Sequence, residues 1–556
     1  MTAATPSEPT VGVPSGWTAR RASALVAACV GASFVVWLPS LFAGFTGDDL
    51  EGILRASSGG RRFTGLNYSA VQWRPLSNLS LWLDRQVWAL DASGFHLTNV
   101  VLNGLVAALV AVLADRLWDE VVRRRGTAPS LPRWVPGGLA AAVFLVLPSH
   151  SEAVAWVGGR GDLLVAAAAL GSLLCWWTAT RTARTDVRWT VAALVALAAA
   201  LLAKETAATW PLVLSALEVA RTWSGDGARR RRVLGAAARP WPTYLLVAVW
   251  FGVRWAVIGR PFGSYGSASL VAGGPLGVAR HGASVLVRSL LPGMPVWAWV
   301  LVGVVGLALL LALAVAARQP QVRAVLGAWP LAFLPAAMVL CSLPVLGLGT
   351  SATGPLGERL GYLASTFGCV LVAWLLCALV VHRAAVGWTV AGLLLAAALV
   401  ASVVVQGRWV AAGNLADRLF ESAAALPKDR PALVLNEPDE LHGTYVALNA
   451  LPAALALRYG WTDLTAVWSA TTYAQGSDGR ATVTDGPGGR TWTVHLDGAG
   501  SRFLQTFDRP ASERRARVVV NLRDARTASI RLGPTPPGAP AESVWAVTDG
   551  RLVRQK

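Results

Sequence analysis

Three carboxylates stand together in Phe45-Thr46-Gly47-Asp48-Asp49-Leu50-Glu51, where a long apolar run ends. A carboxylate in such a place is partly desolvated, which strengthens its interaction with developing charge and makes it a better base. A solvated end of a membrane span would leave the same pattern. Further on come Gln72-Trp73-Arg74-Pro75-Leu76-Ser77 and Gly94-Phe95-His96-Leu97-Thr98-Asn99. His96 and Asn99 are three apart and share a helix face, where they can serve as structural hydrogen-bonding groups or as catalysts. The segment His150-Ser151-Glu152 to Gly159-Arg160-Gly161-Asp162 is short and dense in polar groups. Arg160 can hold a phosphate or a carboxylate with both prongs of its guanidinium, or pair structurally with Asp162 or Glu152. Lys204-Glu205 interrupts an apolar stretch, Arg254 lies inside one, and Glu358-Arg359 with Tyr362 opens another. Polar groups at a membrane boundary are costly unless paired or used.

The elements that must position these residues follow from composition. Of 556 residues, 54% are hydrophobic and 14% charged, and the mean hydropathy is +0.49. Soluble domains carry about 25% charge, so a soluble enzyme, a fibre and a disordered chain are all excluded. Apolar runs near 22–45, 95–118, 135–149, 162–180, 189–203, 206–220, 242–260, 296–317, 324–346, 360–382 and 386–406 predict about eleven spans. The net charge of +18 is read as loop charge that fixes topology, with no nucleic-acid partner. Arg20 and Arg21, Arg123 to Arg125 with Arg133, Arg181, Arg184 and Arg188, Arg221 with Arg229 to Arg232, Arg318 with Arg323, and Arg383 all fall in the alternate loops that a cytoplasmic N-terminus would leave inside. Residues 1–21 are then a cytoplasmic tail, 22–406 the membrane domain with a large outer loop 46–94, and 407–556 an extracytoplasmic domain. Every polar cluster above falls on the outer side, where one cavity could gather them.

Leu76, Leu79, Leu83, Val87 and Leu90 recur at helical spacing with Trp82 and Trp88 nearby, which predicts an amphipathic helix on the membrane surface. The five cysteines all lie in apolar runs, so neither a disulfide framework nor a metal site is expected. Residues 407–556 hold 15 acidic and 18 basic residues and no run long enough to span. Leu441–Tyr459 reads as helix. Ala481–Leu496 reads as two strands around Asp485-Gly486-Pro487-Gly488-Gly489, and Arg515–Leu522 and Ser543–Val547 read as strands. A small α+β domain able to fold by itself is expected there.

The order of the motifs resembles a known family. Asp48-Asp49 looks like the acidic pair of GT-C glycosyltransferases. Arg74-Pro75-Leu76-Ser77, Gly94 to Val100, His150 to Ala155 with Gly159 to Leu164, Ala203-Lys204-Glu205 and Glu358 to Leu363 resemble blocks of the TMTC type of protein O-mannosyltransferase. The likeness covers about residues 20–410. It implies an all-α polytopic GT-C-like enzyme of a bacterial cell envelope, lacking the tetratricopeptide tail. The activity implied is transfer of a hexose such as mannose from a polyprenyl-phosphate donor to a protein or glycan acceptor, without a metal. Membrane lipid and the lipid-linked sugar are then its partners, and a bacterial plasma membrane its location. By the same resemblance Asp48 is the base, with Asp49 its neighbour and rival. Arg160, Lys204 and Arg74 face the donor phosphate, and His96, His150, Glu152, Asp162, Glu205, Glu358 and Arg359 complete the site. The chain departs from the family pattern in having Leu147-Pro148 before His150 and Gly357 before Glu358. Two other readings are a transporter or flippase of lipid-linked glycans and a membrane scaffold without catalysis. A transporter would show repeated halves with interrupted helices, which the sequence lacks.

Overall fold

Long apolar runs become long helices because a backbone in lipid must satisfy its own hydrogen bonds. The computed structural model describes residues 19–57, 72–125, 131–181, 185–222, 230–259, 274–327, 329–348, 350, 354–448, 450–476, 480–486, 488–504, 517–538 and 540–555. The first helices in chain order are α1 (Ala19–Val36), α2 (Asp49–Ser57), α3 (Pro75–Trp88), α4 (Ala92–Arg125), α5 (Val135–Val146) and α6 (Ser151–Val154). Next come α7 (Arg160–Ala179), α8 (Val187–Ala203), α9 (Trp210–Thr222), α10 (Arg230–Ala238), α11 (Trp241–Ile258) and α12 (Gly274–Arg288). The last are α13 (Val296–Ala316), α14 (Pro320–Leu326), α15 (Pro330–Ser342), α16 (Tyr362–His382), α17 (Ala384–Ser422) and α18 (Ala450–Tyr459).

Among the described residues, eight helical segments are long and apolar enough to cross a membrane, or nine if one bent pair counts as a span. All eleven expected intervals fall on helices. Those at 189–203 and 206–220 are short, with α8 at 17 residues and α9 at 13. Helices α10 and α12 lie outside the expected spans. Of the residues invoked for topology, Arg184 and Arg229 lie outside the described residues, as does most of the tail 1–21.

The bent pair shapes the site. Helix α5 stops at Leu147, whose ψ of 114° is extended, because a residue followed by proline disfavours the α conformation. The chain then turns by 59° into Pro148–Val154. This folds the polar segment 148–162 back into the protein.

Helix α3 inverts the pattern of a soluble helix. Ser77, Asn78 and Asp84 point inward, while Leu83 and Val87 are 50% and 67% exposed. An apolar outer face and a polar inner face suit a helix lying against lipid while walling a polar cavity.

Helix α17 runs through the boundary expected at 407. This helix runs 39 residues without a break, roughly 58 Å at 1.5 Å per residue. It carries the chain past the apolar run before the strands begin at Ala432. Six strands form one sheet in the order β10-β9-β1-β3-β6, with β2 paired to β1. Here β1 is Ala432–Leu441, β2 Thr444–Tyr445, β3 Val467–Gln475, β6 Arg502–Leu504, β9 Ser543–Thr548 and β10 Arg551–Arg554. A second, antiparallel sheet runs β4-β5-β8-β7, from Ala481–Asp485, Thr491–Leu496, Thr527–Leu532 and Val518–Leu522. The hairpin read from 481–496 is present, with Pro487 outside the described residues; Arg515, at the start of the expected strand 515–522, is also outside them. The helix read from Leu441–Tyr459 begins only at Ala450, because His442 and Gly443, at φ of 51° and 77°, turn the chain back as a hairpin.

Strand β1 is covered on both faces, as parallel strands usually are. Leu433 and Leu435 pack towards the second sheet with Trp492, Val494 and Ile530. Ala432 and Val434 pack the other way, into one cluster with α18, the end of α17, and Phe45, Leu50, Ile53 and Leu81 of the first loop. The strand domain therefore shares a core with the membrane domain.

Candidate active site

Asp48 and Asp49 sit in the turn that opens α2. Asp49 is buried at 3% exposure. Its carboxylate accepts from the backbone N–H of Thr46 at 2.9 Å and of Gly158 at 2.7 Å, which ties the first loop to the segment before α7. Asp48 is half-buried, and its carboxylate takes no hydrogen bond from any other described residue, only one from its own backbone N–H. Desolvation pushes its pKa up, while Arg359, Arg55 and Arg74 draw it down.

The rest of the site is built from paired charges near the ends of helices. Arg74, preceding α3, holds Glu205 with both prongs at 3.0 and 2.5 Å. Lys204 Nζ meets both oxygens of Asp162 at 2.6 and 2.7 Å. Glu152 accepts from the backbone N–H of Arg359 at 2.9 Å and has the Arg359 Nε 3.7 Å away. Glu358 pairs with Arg288 and accepts from Gly293 N–H at 2.8 Å. The Arg359 guanidinium also stacks 4.3 Å over the Trp156 ring. Glu358 lies within electrostatic reach of Arg288, Glu152 and Arg408, and Arg288 within reach of Glu152. Arg254, buried over Trp250 at 5.6 Å, lies within reach of Glu205 and Arg74. The structure thus gathers Asp48, Arg74, Glu152, Asp162, Lys204, Glu205, Glu358 and Arg359 at one end of the bundle, the end that carries the strand domain.

Arg160 has other work. At 1% exposure it donates to Asn99 Oδ1 at 2.8 Å, to the Phe95 carbonyl at 2.7 Å and to Asp84, with Ser80 at 3.4 Å. Its fork ties α3, α4 and α7 together. The partners named for it from the sequence, Asp162 and Glu152, belong to Lys204 and Arg359. His150 Nε2 meets Ser365 Oγ at 2.7 Å, and its ring packs against Phe144 and Tyr362 with centroids at 4.4 and 4.6 Å. His96 lies against the backbone of Ala43 and Gly44. Both histidines are packed inside, and His96 lies against the segment that leads into the acidic pair.

Sequence reasoning passed over Asp84, Trp156, Arg288, Arg408 and Tyr445. Asp84 lies on the polar face of an otherwise apolar helical stripe, a signal that was available. Arg408 lies just past the last apolar run. Tyr445 comes from the strand domain, and nothing local marks it.

Comparison with known proteins places this geometry in context. No family model matches the chain. Protein O-mannosyl-transferase Tmtc2 of Drosophila melanogaster is 36% identical over 222 residues, covering 36% of this chain and 22% of that protein. Tmtc1 of the same fly is 31% identical over 213 residues, covering 35% and 22%. Human TMTC2 is 30% identical over 113 residues, covering 19% and 11%. The chain resembles the TMTC O-mannosyl-transferases, and the matched part spans about a fifth of the length of the fly relatives. Among solved structures, ArnT from Cupriavidus metallidurans bound to undecaprenyl phosphate covers 92% of this chain and 100% of its own, at 16% identity and a TM-score of 0.44. Its apo state gives a TM-score of 0.33. A likeness this loose places no residue.

Proposed function

We propose that this chain is a membrane glycosyltransferase that moves a sugar, a hexose such as mannose, from a polyprenyl-phosphate donor to an acceptor hydroxyl on the extracytoplasmic side. The observation that carries the reading is the Asp48 carboxylate. It is half-buried, takes no hydrogen bond from any other described residue, and faces a group of arginines at the end of the bundle. The sequence likeness to proteins named O-mannosyl-transferases supports it.

In this reading Asp48 takes the proton of the acceptor hydroxyl as that oxygen bonds to the sugar carbon. The bond from that carbon to the phosphate oxygen breaks, and the lipid phosphate leaves with the electron pair. Arg74 and Lys204, positioned by their carboxylate partners Glu205 and Asp162 and with Arg254 within reach of Arg74, stabilise the leaving phosphate, since fixed cations in a dry site act strongly on developing charge. Arg160 holds the loops that carry Asp48 in place. A membrane with the strand domain outside fits the arginine distribution, and a reporter fused after Lys556 that is active only in the cytoplasm would overturn that orientation.

The test compares membranes carrying wild type and Asp48→Asn at matched levels, with labelled sugar on a polyprenyl-phosphate donor. Transfer is expected to fall by about 10²–10⁴-fold, the usual contribution of a positioned base. Binding of undecaprenyl phosphate should persist. Full transfer by Asp48→Asn removes the base, and with it this mechanism.

A further inference from the structure

One hairpin of the strand domain reaches the turn that carries the acidic pair. After the turn at His442 and Gly443, β2 returns along β1 in the register Glu440–Tyr445 and Leu441–Thr444. Three contacts seat it on the membrane domain. The Gly47 N–H donates to the Val446 carbonyl at 3.1 Å, one residue before Asp48. Thr444 Oγ1, whose hydroxyl donates to the Leu441 carbonyl, lies 3.5 Å from the Arg408 carbonyl. The Tyr445 ring lies 5.2 Å from that of Trp156, tilted by 47°. Trp156 is itself fixed, its Nε1–H donating to the Thr46 carbonyl at 3.2 Å and its ring carrying the Arg359 guanidinium.

Gly47 makes this approach possible. Its φ is +59°, and a Cβ there would stand 3.2 Å from the Tyr445 Cβ and 3.0 Å from the Trp156 Nε1. A side chain at that position would strain the backbone and require Trp156 or the hairpin to give by a few tenths of an ångström. Seated as it is, Tyr445 is half-buried, and its hydroxyl makes no hydrogen bond to any described residue. The charged groups that act on it are Arg359, Glu152, Asp48 and Glu440. Burial pushes its pKa up, so it remains a phenol able to donate one hydrogen bond and accept another.

We infer that Tyr445 contacts the acceptor. Its hydroxyl hydrogen-bonds the alcohol that Asp48 deprotonates, and the strand domain thereby supplies one wall of the acceptor subsite. The inference rests on the proposed function. The acceptor hydroxyl must meet a base and an orienting group together, and the hairpin brings Tyr445 to the turn that carries Asp48.

Tyr445→Phe keeps the ring on Trp156 and removes only the hydroxyl. Two readouts are compared in the full-length protein: transfer of labelled sugar from the polyprenyl-phosphate donor into membrane acceptors, and binding of undecaprenyl phosphate followed by quenching of tryptophan fluorescence. Tyr445→Phe is expected to lower transfer about tenfold, the scale of one directed hydrogen bond, with undecaprenyl phosphate binding within about twofold of wild type. Wild-type transfer by Tyr445→Phe overturns the inference, even if Tyr445→Ala is impaired, because the ring would then serve only to seat the hairpin. A parallel loss of undecaprenyl phosphate binding also overturns it, since the hydroxyl would belong to the donor side. Wild-type protein that neither transfers nor binds overturns the glycosyltransferase reading, and this inference with it. A wild type that transfers beside an unaffected Tyr445→Phe sinks the inference alone.

Discussion

Asp48 and Asp49 are neighbours in the chain with opposite surroundings. Asp49 is held by two backbone N–H groups, so its carboxylate serves structure; Asp48 has no such claim on it. Because desolvation raises the pKa of Asp48, a base at this position loses its ionised form at a higher pH than an ordinary aspartate, whose pKa is about 3.9. Transfer should therefore decline on the acid side above that value, as measured by rate against pH in membranes. An acid limb below pH ~4 would assign the base to another group. Arg160 makes a different prediction. Arg160→Lys keeps the charge but cannot reach Asn99, Asp84 and the Phe95 carbonyl together. Breaking a buried ion pair costs about 3–5 kcal/mol when one partner is removed, and the lysine variant should lose part of that. We expect a lowered thermal aggregation midpoint in detergent with undecaprenyl phosphate affinity retained. Weaker lipid binding at unchanged stability would return Arg160 to the donor site.

At the scale of elements, the position of Asp48 depends on how closely α17 approaches the loop after α1. A Cβ on Gly413 would stand 2.4 Å from the Gly44 nitrogen, and one on Gly44 would stand 2.2 Å from the Asp417 carboxylate. The first contact is with backbone, which cannot move aside as a flexible side chain can. Gly413→Ala is expected to displace the loop Ala43–Asp49, lower transfer and reduce stability by about 1–3 kcal/mol, as overpacking does. Gly392→Ala, on the same helix with open space around the glycine, is the control and should behave as wild type in both thermal stability and transfer. Equal behaviour of the two variants would show that the close approach does not position the site. Helix α3 belongs to the same argument. Its apolar stripe was legible as helical spacing, whereas its inward-facing Ser77, Asn78 and Asp84 acquire meaning only from the arginine they meet.

For the whole molecule, the shared core decides how separable the parts are. Val434, Trp545, Val547 and Leu552 pack with Phe45, Leu50 and Ile53 of the membrane domain. A fragment of residues 427–556 would expose that face, and apolar patches of this kind drive association. Expressed alone, it should form oligomers or aggregates on size-exclusion chromatography and show no sharp melt. A monomeric fragment with a cooperative transition would mean that β1, β3, β9 and α18 bury their apolar faces without the bundle.

The sequence by itself determined that this is a multi-pass helical membrane protein with a mixed α+β region at its C-terminal end. It also marked the polar motifs that matter, because apolar runs longer than a bilayer leave the backbone one choice and polar groups beside them are conspicuous. It did not determine who pairs with whom. Arg160 and Asp162 are two residues apart, yet their partners are Asp84 and Lys204, 76 and 42 positions away. Nor did it show that a hairpin some 400 residues beyond Asp48 would sit against it, or that the last helix would run on to carry that hairpin there. Those outcomes depend on how helices cross and which charges are left uncovered by the crossing, and periodicity in one strand of sequence holds no record of either.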